Sequence, residues 1–237
     1  EHLGLVSQTR QALAEVSAEC YARQVEVMIV LTPHGVVLPN TITVDQSATL
    51  TGQLKNFGDM STTASVPGAV AAGHWLKELS EDQGLPLQLQ TIPELDYGTT
   101  VPLTFFAPPQ PDRSVLPVHL GPEQNLMILT GQVLFELTSS RPERYGLIAS
   151  SDLWRSRAKT STGPRRPAGA ERQVAEAISG VNPAGLTELV PEGAWCGLGP
   201  ITCLLNAIAP TNARGVIRSF EAPLDVGLLV ATFSIPA

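Results

Sequence analysis

The chain has 237 residues, 43% hydrophobic and 16% charged, which supplies one substantial core or two small ones. Its net charge of −7 argues against general affinity for nucleic acid or anionic membranes. No apolar stretch approaches the ~20 residues of a membrane span, and Glu1-His2-Leu3-Gly4 has neither the basic nor the apolar region of a signal peptide.

Leu5, Val6, Thr9, Ala12, Leu13, Val16 and Cys20 follow a 3.6-residue period and predict an opening amphipathic helix. Val27-Met28-Ile29-Val30-Leu31 then reads as a strand buried on both faces. Residues 41–54 read as strand-rich, with Gly52 and Gly58-Asp59 as turns. A helix is expected from Pro67 to about Glu81, stopped by Gly84. Leu87 to Ile92 alternates like a strand with one wet face. Val115–Leu120 reads as a strand, Pro122–Leu137 as a helix and Tyr145–Ser150 as a short buried strand. Ser156–Gly169 is polar, with Gly and Pro, and reads as a mobile loop. Helices are expected over about 171–179, 183–190 and 196–208, and strands over Val216–Phe220 and Val226–Ile235. Strands alternating with helices predict a single α/β domain over 1–237, with a mainly parallel central sheet and helices on both faces.

Ligands gather where the chain leaves the carboxyl ends of such strands. His34, Asp96-Tyr97, His119 and Ser151-Asp152 stand at those ends, so parallel strands would bring them to one rim. His34 is the leading candidate, since neutral imidazole binds iron or zinc and titrates near neutrality; the plainer role is a turn-holding histidine. His119 reads first as a satisfied, half-buried histidine and His74 as part of a solvated helix face. Asp96 fits an Asx-type turn opening a helix, with Tyr97 offering a phenol to a substrate oxygen. Asp152 fits either an N-cap or a rim carboxylate. Arg155, Arg157, Lys159, Arg165, Arg166 and Arg172 put six of fifteen basic residues within eighteen positions. They suit a solvated loop or the capture of an anionic ligand. Dinucleotide, phosphate-loop, nucleophile-elbow and zinc-cysteine signatures are missing. Three cysteines make a poor disulfide framework, so a reducing cytoplasm is the expectation. Cys196, beside Trp195 on an expected apolar helix, reads as a packed thiol.

An ordered set of segments carries a family resemblance. They are Leu31-Thr32-Pro33-His34-Gly35, Gly52-Gln53-Leu54-Lys55-Asn56-Phe57-Gly58, Asp96-Tyr97-Gly98-Thr99-Thr100-Val101-Pro102-Leu103 and Ile148-Ala149-Ser150-Ser151-Asp152-Leu153. Cys196-Gly197 before Leu204-Leu205-Asn206-Ala207-Ile208, and Ser219-Phe220-Glu221-Ala222-Pro223 before Val226-Gly227, complete it. Together they resemble the type III extradiol ring-cleavage dioxygenases, nearest the subunit-B-like branch related to Memo proteins. The resemblance implies an α/β fold and Fe(II) held by two histidines and a glutamate, with a further histidine as acid/base for catechol cleavage. It assigns His34 to the second iron histidine and places the first on a strand upstream of Glu1. Tyr97 and Arg155 take the positions of family histidines, and Trp195 stands where the glutamate is expected, with Glu192 nearby as a substitute ligand. His119 and Asp152 complete the expected rim.

Two functions remain open on these residues. One is a non-catalytic member acting as a fold-retaining subunit or a binder of a small aromatic or anionic ligand. It would assemble with itself or with an intact paralogous catalytic subunit. The other is a non-haem Fe(II) ring-opening dioxygenase with a rearranged site.

Overall fold

The computed structural model describes residues 2–106, 113–155, 170–189, 196–222 and 226–235. A 3-10 turn leads into α1 (Ser7–Ala22), then β1 (Val27–Thr32), β2 (Ile42–Asp45) and the strands β3 (Thr49–Leu54) and β4 (Asp59–Pro67). Next come α2 (Val70–Asp82), β5 (Leu87–Gln90), α3 (Tyr97–Phe106), β6 (Ser114–His119) and α4 (Gln124–Ser140). The chain continues through β7 (Tyr145–Ala149), β8 (Trp154–Arg155), α5 (Ala170–Ser179), α6 (Pro183–Leu189) and α7 (Leu198–Ile208). It closes with β9 (Arg214–Glu221) and β10 (Val226–Ser234).

The central sheet runs β5-β2-β6-β1-β7. All its pairs are parallel except β2 with β6, so the sheet is mixed but mostly parallel. β1 lies inside it, and all six of its residues are buried. Side chains alternate across a strand, so Val27, Ile29 and Leu31 enter one apolar cluster while Met28 and Val30 enter another. The larger cluster is closed by Leu76 of α2, Leu134 and Leu137 of α4, and Cys203 and Leu205 of α7. The smaller is closed by Leu13 and Val16 of α1, Leu103 and Phe106 of α3, and Leu50 and Val66 of the β3–β4 hairpin. Both faces are thus covered, as the continuous apolar run requires.

A second, antiparallel sheet runs β8-β10-β9 and is tied to α1. Thr9 donates to the Glu221 carboxylate through its amide at 2.7 Å and its hydroxyl at 2.6 Å, and Arg218 pairs with Glu19 at 2.6 Å. No helix among the described residues is long and apolar enough to cross a membrane.

Several elements differ from the sequence reading. Pro67 ends β4 opposite Thr49, and the helix begins only at Val70. A strand end tolerates the missing N–H that a ladder interior would need. Gly52 lies inside β3 rather than in a turn, and glycine suits the position because a Cβ there would meet the Thr100 hydroxyl at 2.5 Å. β7 is half-buried, since it lies at the edge of its sheet. Cys196 precedes α7 and is exposed; the packed thiol is Cys203, fully buried one turn into that helix. All three cysteines are free. His74 is solvated as expected, facing Glu78 one turn along α2. Of the basic run, Arg172 pairs with Glu176 along α5, and residues 156–169 lie outside the described residues.

Candidate functional site

The rim begins with strand register. Thr32 at the end of β1 stands beside His119 at the end of β6, and Leu31 beside Ala149 of β7. Three parallel strands therefore release their chains at one level, the convergence expected for His34, His119 and Ser151-Asp152. Asp96 reaches the same level by another route. The segment after β5 is laced to β3, with Thr51 N donating to Pro93 O at 2.7 Å and Leu95 N to Thr51 O at 2.8 Å.

Asp96 then opens α3. Its Oδ1 accepts from Thr99 N at 3.2 Å and its Oδ2 from Thr99 Oγ1 at 2.7 Å, the expected Asx-type turn. Pro102 within α3 has no N–H to donate to the carbonyl of Gly98. Ser150 Oγ donates to that carbonyl instead, which ties the end of β7 to the start of α3.

His34 and Tyr97 meet at this junction. The Tyr97 hydroxyl is 2.7 Å from His34 Nε2, and the two rings lie 4.3 Å apart between centroids, tilted by 34°. Phe57, at the tip of the β3–β4 hairpin, meets the Tyr97 ring edge-on at 5.0 Å. Tyr97 is 40% exposed and Phe57 65%, so this aromatic row faces outward. Beneath it, His119 is buried, with Nδ1 2.7 Å from His34 O and 3.7 Å from Asp96 Oδ2. A carbonyl oxygen only accepts, so Nδ1 carries the proton of His119. Gly35 has φ +80°, and a Cβ there would come within 2.5 Å of the His119 ring. The turn after His34 therefore needs glycine both for its left-handed backbone and for the imidazole packed under it.

Asp152 sits beyond β7, where its carbonyl accepts from the Cys196 thiol at 3.5 Å. No helix starts at Asp152, since β8 follows and its Trp154 and Arg155 pair with Gly227 and Val226. The N-cap reading of Asp152 is thereby replaced by a strand connection. The Arg155 side chain and all of Glu192 and Trp195 lie outside the described residues. The structure thus unites His34, Asp96, Tyr97 and His119, and adds Thr32 and Phe57, which residue type alone did not mark as part of the group. Phe57-Gly58 was visible as a motif, but nothing local in it points at Tyr97.

Fe(II) of the two-histidine, one-carboxylate kind needs three donors aimed at one point with positions left open. Among the described residues, no three His, Cys, Asp or Glu side chains converge in that way. The His34 imidazole is engaged by the Tyr97 hydroxyl, His119 Nδ1 by a backbone carbonyl, and Asp96 by Thr32 and Thr99. The described donors by themselves do not make up that iron site.

Residues 1–162 match the family described as the catalytic LigB subunit of aromatic ring-opening dioxygenase. The chain belongs to the LigB family. Among solved structures it is similar to an uncharacterised protein from Escherichia coli K12, with a TM-score of 0.64 and 15% identity. That likeness covers 92% of this chain and 91% of the other, and at such identity it speaks for the fold alone. No curated protein matches the chain. Membership of the LigB family agrees with the ordered segments from His34-Gly35 onward, most of which fall within the matched span.

Proposed function

We propose that this LigB-family chain is a non-catalytic member that keeps the fold as a subunit and binds a small oxygenated ligand at the His34–Tyr97 rim. The observation that supports this reading is the 2.7 Å contact between the Tyr97 hydroxyl and His34 Nε2. An imidazole held by a phenol is preorganised to share hydrogen bonds with a ligand oxygen. The exposed rings of Tyr97 and Phe57 offer faces and edges to a flat ring. His119 and Asp96 act behind that surface. As a subunit, the chain would pair with a second copy or with an intact paralogue, in a cytoplasmic setting suited to its free cysteines.

The competing reading is an Fe(II) ring-opening dioxygenase, favoured by the description of the family and by His34 itself. Anaerobic loading with Fe(II), metal analysis and oxygen uptake with catechol separate the two. The expected result is no stoichiometric iron that depends on His34, no oxygen uptake, and catechol binding that His34→Ala abolishes. Near-stoichiometric iron lost in His34→Ala, with catechol-dependent oxygen consumption, would establish the dioxygenase instead.

A further inference from the structure

We infer that Asp96 is the positioning residue of the rim, holding His34 from both sides of its backbone through two separate relays. On the amide side, Thr32 Oγ1 donates to Asp96 Oδ1 at 3.2 Å and accepts from His34 N at 3.2 Å. On the carbonyl side, His119 Nδ1 donates to His34 O at 2.7 Å while lying 3.7 Å from Asp96 Oδ2. One buried carboxylate thus orients a hydroxyl and an imidazole, and each of them grips one polar atom of the same histidine.

The carboxylate also sets the other half of the pair. Asp96 immediately precedes Tyr97, and its side chain caps the first turn of α3 through Thr99. Its own carbonyl accepts from Thr100 N and Thr100 Oγ1, both at 2.8 Å. His34 leaves the end of β1 and Tyr97 starts a helix more than sixty residues later, yet both are referenced to the same carboxylate. An N-cap alone would need only the Thr99 contacts. The bond from Thr32 and the approach of His119 are extra, and both lead to His34. A negative charge suits this place, because it faces the Nδ1–H of His119 and the first amides of a helix.

That this posture governs binding rests on the proposed reading of the rim; that Asp96 sets the posture does not. The test is nuclear magnetic resonance on the full chain, reading the ring-to-ring contact of His34 with Tyr97 and the tautomer of His119 by two-bond nitrogen–proton correlations. Asp96→Asn keeps the size and one acceptor oxygen but removes the charge. The expected result is at least a twofold loss of the His34–Tyr97 contact, with the Nδ1–H form of His119 no longer the sole tautomer. Thr32→Val, which cuts one relay, should give a smaller loss. Asp59→Asn alters a comparable turn carboxylate that bonds Ser61 and Thr62 on the exposed hairpin, and should change neither signal. A folded Asp96→Asn protein with both signals unchanged would reduce Asp96 to a helix cap and overturn the inference. If Asp96→Asn does not fold, Thr32→Val and His119→Gln cut the relays singly, and an unchanged His34–Tyr97 contact in both would overturn it equally. In a separate arm, catechol should bind Asp96→Asn about fivefold more weakly than the natural chain. A natural chain that does not bind catechol would sink the ligand reading, while the ring signals would still decide the role of Asp96.

Discussion

The two faces of the central sheet hold together by different means. Toward α2, α4 and α7 the sheet meets a continuous apolar layer, in which Ile29, Leu116, Leu134, Leu137 and Leu205 are sealed from water. Toward α1, α3 and the hairpin the apolar cluster is smaller, and at its rim end Thr32, His119, Asp96, Thr99 and Thr100 replace it. Apolar packing is non-directional, so the first face tolerates small shifts and answers to volume. Hydrogen bonds are directional, so the second face answers to geometry. The candidate site grew on the face where orientation can be specified.

This contrast can be broken or sharpened by experiment. The largest effect on stability is expected from Leu134→Ala, which opens a cavity in the apolar layer. It should cost about 3 kcal/mol in chemical denaturation while leaving the His34–Tyr97 contact intact. Disturbance of that contact would show the two faces to be coupled. Gly35→Ala should cost less, about 2 kcal/mol, because alanine resists the left-handed backbone and its Cβ would press on the His119 ring. Here the rim should be hit hardest, with His34 displaced from Tyr97 in a crystal structure of the variant. An unmoved His34 would mean that the turn does not set the site.

A pH effect is expected where α1 meets β9. Hydrogen bonds from Thr9 hold the Glu221 carboxyl below its usual value. A carboxyl depressed in the folded state contributes stability that is present above the ordinary glutamate value of about 4.3 and is lost as pH falls through the depressed one. Hydrogen-exchange protection at the start of α1, taken relative to the intrinsic rate at each pH, should therefore fall in acid, and Glu221→Gln should flatten that dependence. Protection that falls equally in Glu221→Gln would assign the effect to another group. The smallest expected effect is a difference in thiol labelling. Cys196 is exposed at the rim, whereas burial pushes the Cys203 thiol up beneath the apolar layer. Iodoacetamide should modify Cys196 in the native protein and spare Cys203 until it unfolds, as read by peptide mass. Equal labelling would mean that the α7 layer opens readily.

Much of the scaffold was legible because its signals are local. The apolar run of β1, the 3.6-residue spacing in α4 and the Asx-type start of α3 each reflect a few neighbouring residues. Errors came where a distant contact decides. Gly52 resembles a turn residue until Thr100 packs against it, and Cys196, expected as a core thiol, instead meets the distant Asp152 carbonyl at an exposed position before α7. Within the site, His34, Tyr97 and His119 were visible as polar residues at strand ends. Thr32 was not, because a buried threonine at the end of an apolar strand looks like any other strand residue until its hydroxyl finds Asp96.

By itself the sequence determined the kind of fold, since side-chain period and turn chemistry are properties of short segments, and the ordered motifs placed the family. Only the tertiary structure decided that β2 and β5 run against the other three strands of the sheet, that Ser150 satisfies the carbonyl left open by Pro102, and that Asp96 reaches His34 through both Thr32 and His119. Those outcomes depend on hydrogen bonds a few ångströms long between residues dozens of positions apart, and no local pattern encodes where such partners meet.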